Sequence, residues 1–510
     1  MKNSVSTRSI QRGARILAIL IIIAVTAAVF AACTEDSDCE DSDYDEGIAE
    51  IVPEAETAIL PDGSARIQTR LPSYDWGGYA LRVLTQDVSD FVGGGGDTTW
   101  NVRDMEAEEL TGEPLNDAVF RRNLALEERY NFKIRQIMVG TELSTNTVRN
   151  AVLAGSNDFD VVSFWVNSTA WMVEEGLLVD LLSVNYLDFT QPWWDGGMVE
   201  SLTLLGKLPF VSGDLLIINR DAIAAILFNK QLIADLGLDC PYELVRGGQW
   251  TLDTFQNMAR AAAADLSGHG GRLRMDTDRF GLLLGPVCAL WRPMMSGVGV
   301  RMAEIGSDGT PFFTIDNERS INALLAIGDM LRADFIPRMA VGYSIFTEGR
   351  SLFMEATIRS VEGFRGTDID FGILPLPKFD EHQQEWGHIV GNFNGRVISI
   401  PRFHDDDYLG RIGFMLEAIA AESRYTTIPV HHEIQLLGKY VRDDESSEML
   451  DIIFGSVIWD PGLAYVSWAQ GFQVLGSLVQ GTLVSDWERR FGMAEAAMRA
   501  TVNAFERWDY

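Results

Sequence analysis

The pattern of hydrophobic and polar positions predicts alternating strands and helices in the early part of the chain. Three short segments are mainly apolar, and between them apolar residues recur at the spacing of one helix face. The predicted strands are YALRVLTQD, FKIRQIMV and DFDVVSFWV, and the predicted helices are NDAVFRRNLALEERYN and STNTVRNAVLAG, which ends at a glycine. Because strands alternate with helices, we expect a parallel sheet whose ligands bind beyond the carboxyl ends of its strands.

The first of these helices has a recognisable start and a recognisable apolar face. Asn116 is its predicted N-cap, because asparagine side chains accept hydrogen bonds from the free N–H groups of a first turn. The apolar residues predicted on or near one face are Val119, Phe120, Leu124, Leu126 and Tyr130.

A second α/β pattern follows in the later part of the chain. DLLIINRDAIAAILFNKQLIADLGL contains an extended apolar segment and then a helix, and SINALLAIGDMLRADF is a further helix. WTLDTFQNMARAAAADL is an amphipathic helix with Thr251 at its N-cap. Two late strands are predicted in DIDFGILPLPKF and GRVISIPR. Since the chain has 510 residues, we expect its folded body to contain two lobes.

Residues 1–32 form a predicted signal peptide of the lipoprotein type. Four basic residues and no acid precede an apolar run from Ile16 to Phe30, and small residues lead up to Cys33. The run is shorter than the roughly 20 apolar residues of a membrane-spanning helix. The pattern resembles a bacterial lipobox, with Phe30 where leucine is usual. It implies cleavage before Cys33 and lipidation of that thiol, palmitate included; an uncleaved membrane anchor is the alternative. The cleaved, lipidated form and the uncleaved anchor both place the rest of the chain outside the cytoplasm.

Residues 33–73 are predicted to be an acidic, disordered tether. From Thr34 to Asp62 there is no Lys or Arg, and such a segment buries too little apolar surface to fold. Calcium binding is the alternative role, but the spacing of a calcium loop is missing. The formal net charge of −32 repels nucleic acid and anionic lipid, so we expect no nucleic-acid partner.

The cysteines beyond the tether do not indicate a metal site. Cys240 and Cys288 are isolated, and no zinc-type spacing of Cys and His is present. A disulfide between them is possible outside the cell, and the sequence does not establish it. We expect neither a metal nor another cofactor.

Several segments resemble extracellular solute-binding proteins of family 1, the maltose-binding type. AAILFNKQLIADLGL is followed by GGQWTLDTFQNMARAA, and then by FTEGRSLFMEATIRSVEGFR, DIDFGILPLPKFDE and GKYVRDDESSEMLDIIF. Their order and spacing carry the resemblance, which spans roughly Tyr79 to Phe491. It implies an α/β, two-lobed periplasmic-binding-protein-like fold of type II, in which each lobe is a central β-sheet flanked by helices and hinge strands join the lobes.

The resemblance also implies where the chain passes between lobes. Lobe 1 is expected to contain residues 74–218 and 388–426, and lobe 2 residues 222–387 and 427–510. The crossings are placed near Ile218–Ala222, Gly387–Gly391 and Thr426–Pro429.

The function implied by the resemblance is binding rather than catalysis. A monomer, lipid-anchored on the extracytoplasmic face of the cell membrane, would close its lobes on a carbohydrate, in particular an oligosaccharide, and deliver it to the membrane permease of an ABC importer. An anchored hydrolase of polysaccharides competes with this function, although no carboxylate pair stands in a recognisable motif. A binding protein for a peptide or polyamine also fits the sequence, as does a sensor that presents its ligand to a membrane kinase.

Candidate ligand contacts combine aromatic rings, which stack on sugar faces, with groups that hydrogen-bond to hydroxyls. Trp165 and Asn167 follow the third strand, and Asp90 follows the first strand next to a run of glycines. Asn219 and Asp221 lie at the first expected crossing. The remaining candidates, taken from family positions or from the second crossing, are Trp291, Phe364, Arg365, Trp386, His388, Asn392, Asn394 and Trp468.

Each candidate has a competing structural role. The tryptophans could pack in the core, and Asp90 could belong to a flexible surface loop. Asn219 and Asp221 could cap a helix or form part of the hinge, and turn chemistry also explains Asn392 and Asn394. Arg365, together with Arg292, leaves room for an acidic sugar such as a uronate.

Overall fold

The structure is a computed structural model that describes residues 57–59, 65–89, 100–284, 291–337, 343–364, 366–390, 395–402, 405–436, 444–469 and 472–508. The predicted signal peptide, Cys33 and the tether before residue 57 lie outside these residues. The last part of the predicted tether is ordered, because Thr57–Ile59 pairs with Ala65–Ile67 as an antiparallel hairpin. Ile67 N donates a hydrogen bond to the hydroxyl of Tyr425, 2.9 Å away, which ties this hairpin to the body.

The strands, in chain order, are β1 (Thr57–Ile59), β2 (Ala65–Ile67), β3 (Tyr79–Asp87), β4 (Phe132–Gly140), β5 (Val161–Trp165), β6 (Ala224–Asn229), β7 (Phe280–Leu284), β8 (Ala303–Ile305), β9 (Pro311–Phe313), β10 (Ser351–Thr357), β11 (Phe371–Leu374), β12 (His388–Ile389), β13 (Arg396–Ser399) and β14 (Val457–Ile458). The α-helices are α1 (Pro114–Tyr130), α2 (Ser144–Ala154), α3 (Val166–Glu174), α4 (Gly196–Leu202), α5 (Ile217–Asp221), α6 (Lys230–Leu236), α7 (Pro241–Arg246), α8 (Leu252–Ala262), α9 (Trp291–Gly297), α10 (Glu318–Arg332), α11 (Ser344–Thr347), α12 (Asp406–Leu436), α13 (Asp444–Gly455), α14 (Pro461–Ala464), α15 (Val466–Ala469), α16 (Phe472–Gln480) and α17 (Leu483–Glu506).

The first four-stranded sheet has the order β13-β5-β3-β4. β3 is parallel to β4 and β5, which confirms the parallel sheet predicted for the early chain, and β13 joins antiparallel to β5. Every residue of β5 is buried, as expected of a strand covered on both faces.

The second four-stranded sheet has the order β11-β6-β10-β7. β7 and β10 are parallel, whereas β6 is antiparallel to both of its neighbours, β10 and β11. The amino end of β6 therefore lies at the same edge as the carboxyl end of β10, where Ala224 pairs with Thr357.

Helix ends follow local capping chemistry, and one predicted cap is wrong. The side chain of Glu113 accepts a hydrogen bond from Asn116 N, so Glu113 is the N-cap of α1 and Asn116 lies inside its first turn, after Pro114. Leu124, predicted near the apolar face, is 44% exposed. The prediction for α8 is confirmed, since Thr251 Oγ1 accepts from Thr254 N.

The predicted crossing segments take different forms. Ile217–Asp221 is a short helix, and Ile223 forms an antiparallel bridge with Val390. Thr426–Pro429 lies within α12, so the chain there is helical rather than extended. The residue ranges of the two lobes stay a prediction.

Both sheets contribute to a shared hydrophobic cluster. It contains Phe164 of β5 and Phe371 of β11, together with Phe346, Tyr465 and Trp468. Among the described residues, no helix is both long enough and apolar enough to cross a membrane.

Candidate functional site

The buried carboxylate of Asp221 binds side chains from segments that adjoin the two sheets. Asp221, the last residue of α5, is fully buried. Its Oδ1 lies 2.8 Å from His431 Nε2, and its Oδ2 accepts from Arg103 Nη2 at 2.9 Å and from Arg359 Nη1 at 2.8 Å. Burial raises the pKa of Asp221, but the hydrogen bond to His431 and the charges of His431, Arg103 and Arg359 outweigh it and lower the pKa to about 2. Asp221 is therefore ionised at neutral pH.

The two arginines reach Asp221 from opposite parts of the fold. Arg103 lies between β3 of the first sheet and α1, and Arg359 follows β10 of the second sheet in a 3₁₀-helix, Ile358–Phe364. Arg103 Nη2 also lies 3.5 Å from Glu362 Oε1, and its side chain is 30% exposed. Asp221 thus binds two guanidinium groups from segments that follow strands of different sheets.

Two tryptophans flank this arrangement. Arg396 pairs with Trp165 across β13 and β5, and its Cζ lies 5.0 Å from the centre of the Trp165 ring. Arg396 Nη2 donates to the carbonyl oxygen of Trp100 at 3.0 Å, and the Trp100 ring centre lies 5.8 Å from Cζ of Arg359. Burial lowers the pKa of Arg396 to about 9. We call this set the Asp221 cluster; it consists of Trp100, Arg103, Trp165, Asp221, Arg359, Glu362, Arg396 and His431.

The part of the cluster next to the first sheet is held in place by hydrogen bonds from one side chain of β3. Gln86, fully buried near the end of β3, accepts a hydrogen bond from Trp165 N at 2.8 Å. Its amide nitrogen donates to Ser144 Oγ at 2.9 Å and to Ser168 Oγ at 3.4 Å. This one side chain therefore fixes the starts of α2 and α3 relative to the strand ends.

The two asparagines predicted as ligand contacts differ in how well they are hydrogen-bonded. Asn219 Nδ2 donates to Ser212 Oγ at 2.6 Å and to Arg396 O at 2.8 Å, and its Oδ1 accepts from Arg396 N at 2.7 Å. Asn167, in the first turn of α3, is only 7% exposed, and its Oδ1 has no hydrogen-bond partner among the described residues. An unpaired buried amide oxygen is costly, which makes Asn167 the better candidate for a ligand contact.

Three other predicted contacts are buried and engaged with protein. Trp468 stacks on Tyr465, with ring centres 4.7 Å apart, and donates Nε1 to Thr501 Oγ1 at 2.8 Å. Phe364 is 1% exposed and packs edge-on against Tyr343. His388 is fully buried and neutral: Leu376 N donates to its Nε2, Nδ1 lies 2.8 Å from Ser456 Oγ, and burial lowers the pKa to about 3.

The remaining predicted contacts give less information. Trp386 is partly buried, with Lys378 Nζ 4.4 Å from its ring centre. Trp291 begins α9, and its side chain lies outside the description. Asp90, Arg365, Asn392 and Asn394 lie outside the described residues. As ligand contacts, all of these stay predictions.

A cavity of about 380 Å³ borders the crossing on the Asn219 side. Its charged groups have protein partners: Asp214 lies 3.3 Å from Arg220 and 2.9 Å from Arg424, and Asp195 Oδ2 accepts a hydrogen bond from Trp459 Nε1 at 2.7 Å. We therefore place the candidate site at the Asp221 cluster and Asn167 rather than in this cavity.

Sequence reasoning missed most of the charged members of the cluster. Arg103, Arg359 and Arg396 are far apart in the chain, and neither they nor His431 are among the predicted ligand contacts. A usable signal existed for Arg359, which closely follows β10, at a strand end where α/β sheets bind ligands.

The described residues also bear on metals and on the cysteines. Within them, no group of three or more His, Cys, Asp or Glu side chains is arranged to hold a metal ion. Cys240 is an exposed free thiol, and Cys288, its possible disulfide partner, lies outside the described residues.

Comparison with known proteins shows similarity in structure but not in sequence. No protein-family model matches the chain, and no curated protein is significantly similar to it. A cyclo/maltodextrin-binding protein solved with maltotetraose superposes with a TM-score of 0.50 at 13% identity, covering 84% of this chain and 96% of the other. An ABC substrate-binding protein from Listeria monocytogenes in complex with cycloalternan gives 0.49 at 12% identity, covering 84% and 98%. A cyclic α-maltosyl-1,6-maltose binding protein from Arthrobacter globiformis gives 0.49 at 13% identity, covering 84% and 100%.

These comparisons bear on the fold alone, because all identities are far below 25%. The superposition on the cyclo/maltodextrin-binding protein agrees with the two four-stranded sheets and their flanking helices, and it confirms the fold that the resemblance to solute-binding proteins implied. The chain has the two-lobed α/β fold of the cyclo/maltodextrin-binding protein.

Proposed function

We propose that this protein is the carbohydrate-binding component of an ABC importer, a lipid-anchored extracytoplasmic protein that binds an oligosaccharide and releases it unchanged to the permease. The observation that carries the proposal is the Asp221 cluster, where tryptophans, guanidinium groups and a carboxylate from both sheets meet. The cyclo/maltodextrin-binding protein of the same fold was solved with maltotetraose.

The chemistry of the cluster suits a sugar. The aromatic faces of Trp100 and Trp165 supply apolar surface for C–H groups, and guanidinium and carboxylate groups pair with hydroxyls. Trp165 is only 5% exposed, so a ligand can reach its ring only if the two lobes move apart. We infer an open state that admits the ligand and a closed state that buries it, as in hinge closure.

Catalysis is disfavoured at this site. A glycosidase needs a carboxylic acid that can donate a proton, together with a second carboxylate. Asp221 is held ionised by its three partners, with its pKa lowered to about 2, so it cannot act as a proton donor near neutral pH.

The direct test is a thermal-shift screen of the protein from Thr57 onward against oligosaccharides, peptides and polyamines. We expect Tm to rise with one or more oligosaccharides, since a ligand that binds only the folded state stabilises it. The hit is then incubated with the protein and analysed by chromatography. A shift with only peptides or polyamines, or the appearance of hydrolysis products, would replace this proposal.

A variant at Trp165 connects binding to the named site. Trp165→Ala should weaken sugar binding by about 1 kcal/mol or more, given the usual contribution of an aromatic contact. Calorimetry measures the affinity, and Trp487→Ala, at a partly buried ring of α17 that packs on Phe313 outside the cluster, is the matched control. If Tm falls sharply while the affinity of the remaining folded protein is unchanged, Trp165 belongs to the core alone.

The anchor is tested separately, because Cys33 lies outside the described residues. Cys33→Ser should leave the precursor uncleaved or release the protein from membranes, as seen by fractionation and mass spectrometry. Normal processing of the variant would contradict lipidation.

A further inference from the structure

We propose that the Asp221 cluster binds an oligosaccharide that carries carboxylate groups, such as a uronate oligomer, rather than a neutral one. This inference rests on the proposed function and names the chemical class of its ligand. It follows from the charge and the hydrogen-bonding state of the groups that meet at Asp221.

The first observation is a surplus of guanidinium groups in the cluster. It contains three arginines but only two carboxylates, Asp221 and Glu362. The buried residues Asp104 and Arg122 next to it add one carboxyl group and one guanidinium group. The chain as a whole has the opposite balance, with a formal net charge of −32. A local surplus of guanidinium groups in so acidic a protein favours a ligand that carries carboxylates.

The second observation is that Asp221 is fully occupied by protein partners. Its Oδ1 lies 2.8 Å from His431 Nε2, and its Oδ2 accepts hydrogen bonds from both Arg103 and Arg359. The side chain is also fully buried. Asp221 therefore positions the two guanidinium groups and does not itself contact the ligand.

The third observation is that the two arginines keep donors that the protein does not use. Arg103 Nη1 and Arg359 Nη2 make no hydrogen bond among the described residues, and neither nitrogen is fully buried. The Arg103 side chain is 30% exposed and that of Arg359 is 12% exposed. Because both groups bind the same oxygen of Asp221, they are neighbours. A ligand carboxylate that binds one of them is therefore also attracted by the charge of the other.

Glu362 shows that a second carboxylate can approach Arg103. Its Oε1 lies 3.5 Å from Arg103 Nη2, which is long for a hydrogen bond, and its side chain is 29% exposed. It follows Arg359 by three residues in the 3₁₀-helix Ile358–Phe364, where residues three apart lie on the same side. A ligand carboxylate at Arg103 would compete with this weak internal partner, so we expect Glu362 to limit the affinity for acids.

The overall charge of the chain acts on the encounter with an acidic ligand more than on the final contact. At physiological ionic strength, exposed charges are largely screened beyond about 8 Å, whereas partly buried pairs are screened much less. The contact at Arg103 is therefore compatible with an acidic protein surface.

The test compares each acidic oligosaccharide with its own methyl ester, which has the same skeleton and no charge. The protein from Thr57 onward is titrated by calorimetry with trimers of galacturonate, glucuronate and mannuronate in both forms, and with the neutral trimers of galactose, glucose and mannose. For one series, we expect the acid to bind about tenfold more tightly than the ester and the neutral trimer, as is usual for hydrogen bonds to a charged group.

Substitutions connect this preference to the named residues. Glu362→Gln should raise the ratio of acid to ester affinity about threefold, because it removes a competing negative charge. Arg103→Gln should lower this ratio about tenfold. Glu448→Gln, which removes a surface acid paired with Arg246, is the matched control and should leave the ratio unchanged. If Arg103→Gln does not fold, Glu362→Gln and the unmodified protein still decide the question.

The failure of this inference is distinguishable from the failure of the proposed function. Equal affinities for acid and ester, or a preference for a neutral trimer, would overturn the acidic ligand and leave a carbohydrate-binding protein. A preference for the acid that neither Glu362→Gln nor Arg103→Gln alters would also overturn the inference, because the carboxylate would then bind elsewhere. If no trimer of any kind binds, the proposed function fails in this test and the inference fails with it.

Discussion

At the scale of single residues, the site is distinguished by which buried groups are left without partners. Asn219 and Asn167 are buried to the same degree, at 6% and 7% exposed, and both were predicted as ligand contacts. Asn219 is saturated by Ser212 and the backbone of Arg396, whereas Asn167 has a free oxygen among the described residues. Burial alone therefore does not separate these two candidates, whereas the unpaired oxygen favours Asn167 as a ligand contact.

This contrast gives a paired prediction. Asn167→Leu should keep Tm or raise it, because it removes an unpaired buried oxygen, while sugar affinity falls about tenfold or more. Asn219→Leu, the matched control, should lower the free energy of unfolding by about 1–3 kcal/mol, because it leaves the groups of Arg396 unpaired. Calorimetry and denaturant titration measure both quantities. Equal losses of stability in the two variants would contradict the distinction.

A second residue-scale prediction concerns pH. Glu417 of α12 is 3% exposed and accepts hydrogen bonds from the indoles of Trp193, at 3.0 Å, and Trp194, at 2.7 Å. Burial raises its pKa to about 7 from the usual 4.5. The folded state therefore binds this proton more tightly than the unfolded state does, so stability should increase as pH falls from about 7 to 4.5.

The measurement is Tm as a function of pH between 4.5 and 8. Glu417→Gln, which stays neutral, should flatten the curve. Asp460, whose pKa is raised to about 6 by burial, contributes in the same direction and should leave a residual slope. A curve that is identical for the variant and the unmodified protein would exclude Glu417 as its source.

At the scale of elements, the sequence predicted strands better than helix ends or contacts between distant segments. β3, β4 and β5 follow from short apolar runs, whose pattern is local. The predicted cap of helix α1 is wrong because asparagine is a favoured N-cap residue and glutamate is not, whereas Pro114, which suits the first helical position, places the cap at Glu113. Arg359 lies near Trp100, and Arg396 near Trp165, only because distant segments of the chain come together in the fold. A single sequence does not show such contacts.

One cap supports a quantitative prediction. Thr251 Oγ1 accepts from Thr254 N at the start of α8, 3.3 Å away. Thr251→Ala should lower the free energy of unfolding by about 1 kcal/mol, and Thr251→Ser should restore most of it. Ligand affinity should be unchanged in both variants, since α8 contributes nothing to the Asp221 cluster. Denaturant titration measures stability, and a stability of the alanine variant equal to that of the unmodified protein would show that the cap contributes nothing.

At the scale of the whole molecule, the contacts that join the surroundings of the two sheets include a shared hydrophobic cluster and the ion pairs at Asp221. The first is non-directional and permits sliding, whereas charge-assisted hydrogen bonds fix one geometry. We expect the ion pairs to set the balance between open and closed states, and the hydrophobic contacts to contribute most of the stability of either state.

Arg359→Ala tests this division. The substitution removes a 2.8 Å contact to Asp221 and the position over the Trp100 ring, but leaves Arg103 and His431 on the carboxylate, so the chain should still fold. Without ligand, the radius of gyration from small-angle X-ray scattering should increase relative to the unmodified protein, because the closed arrangement loses its contact from the second sheet. Affinity should fall as well, since ligand binding must then supply the energy of closure.

Arg246→Ala, which breaks surface pairs with Glu243 and Glu448, is the control and should change neither the radius of gyration nor the affinity. If the scattering of Arg359→Ala matches that of the unmodified protein, the hydrophobic cluster alone holds the halves together, and Arg359 acts only on the ligand.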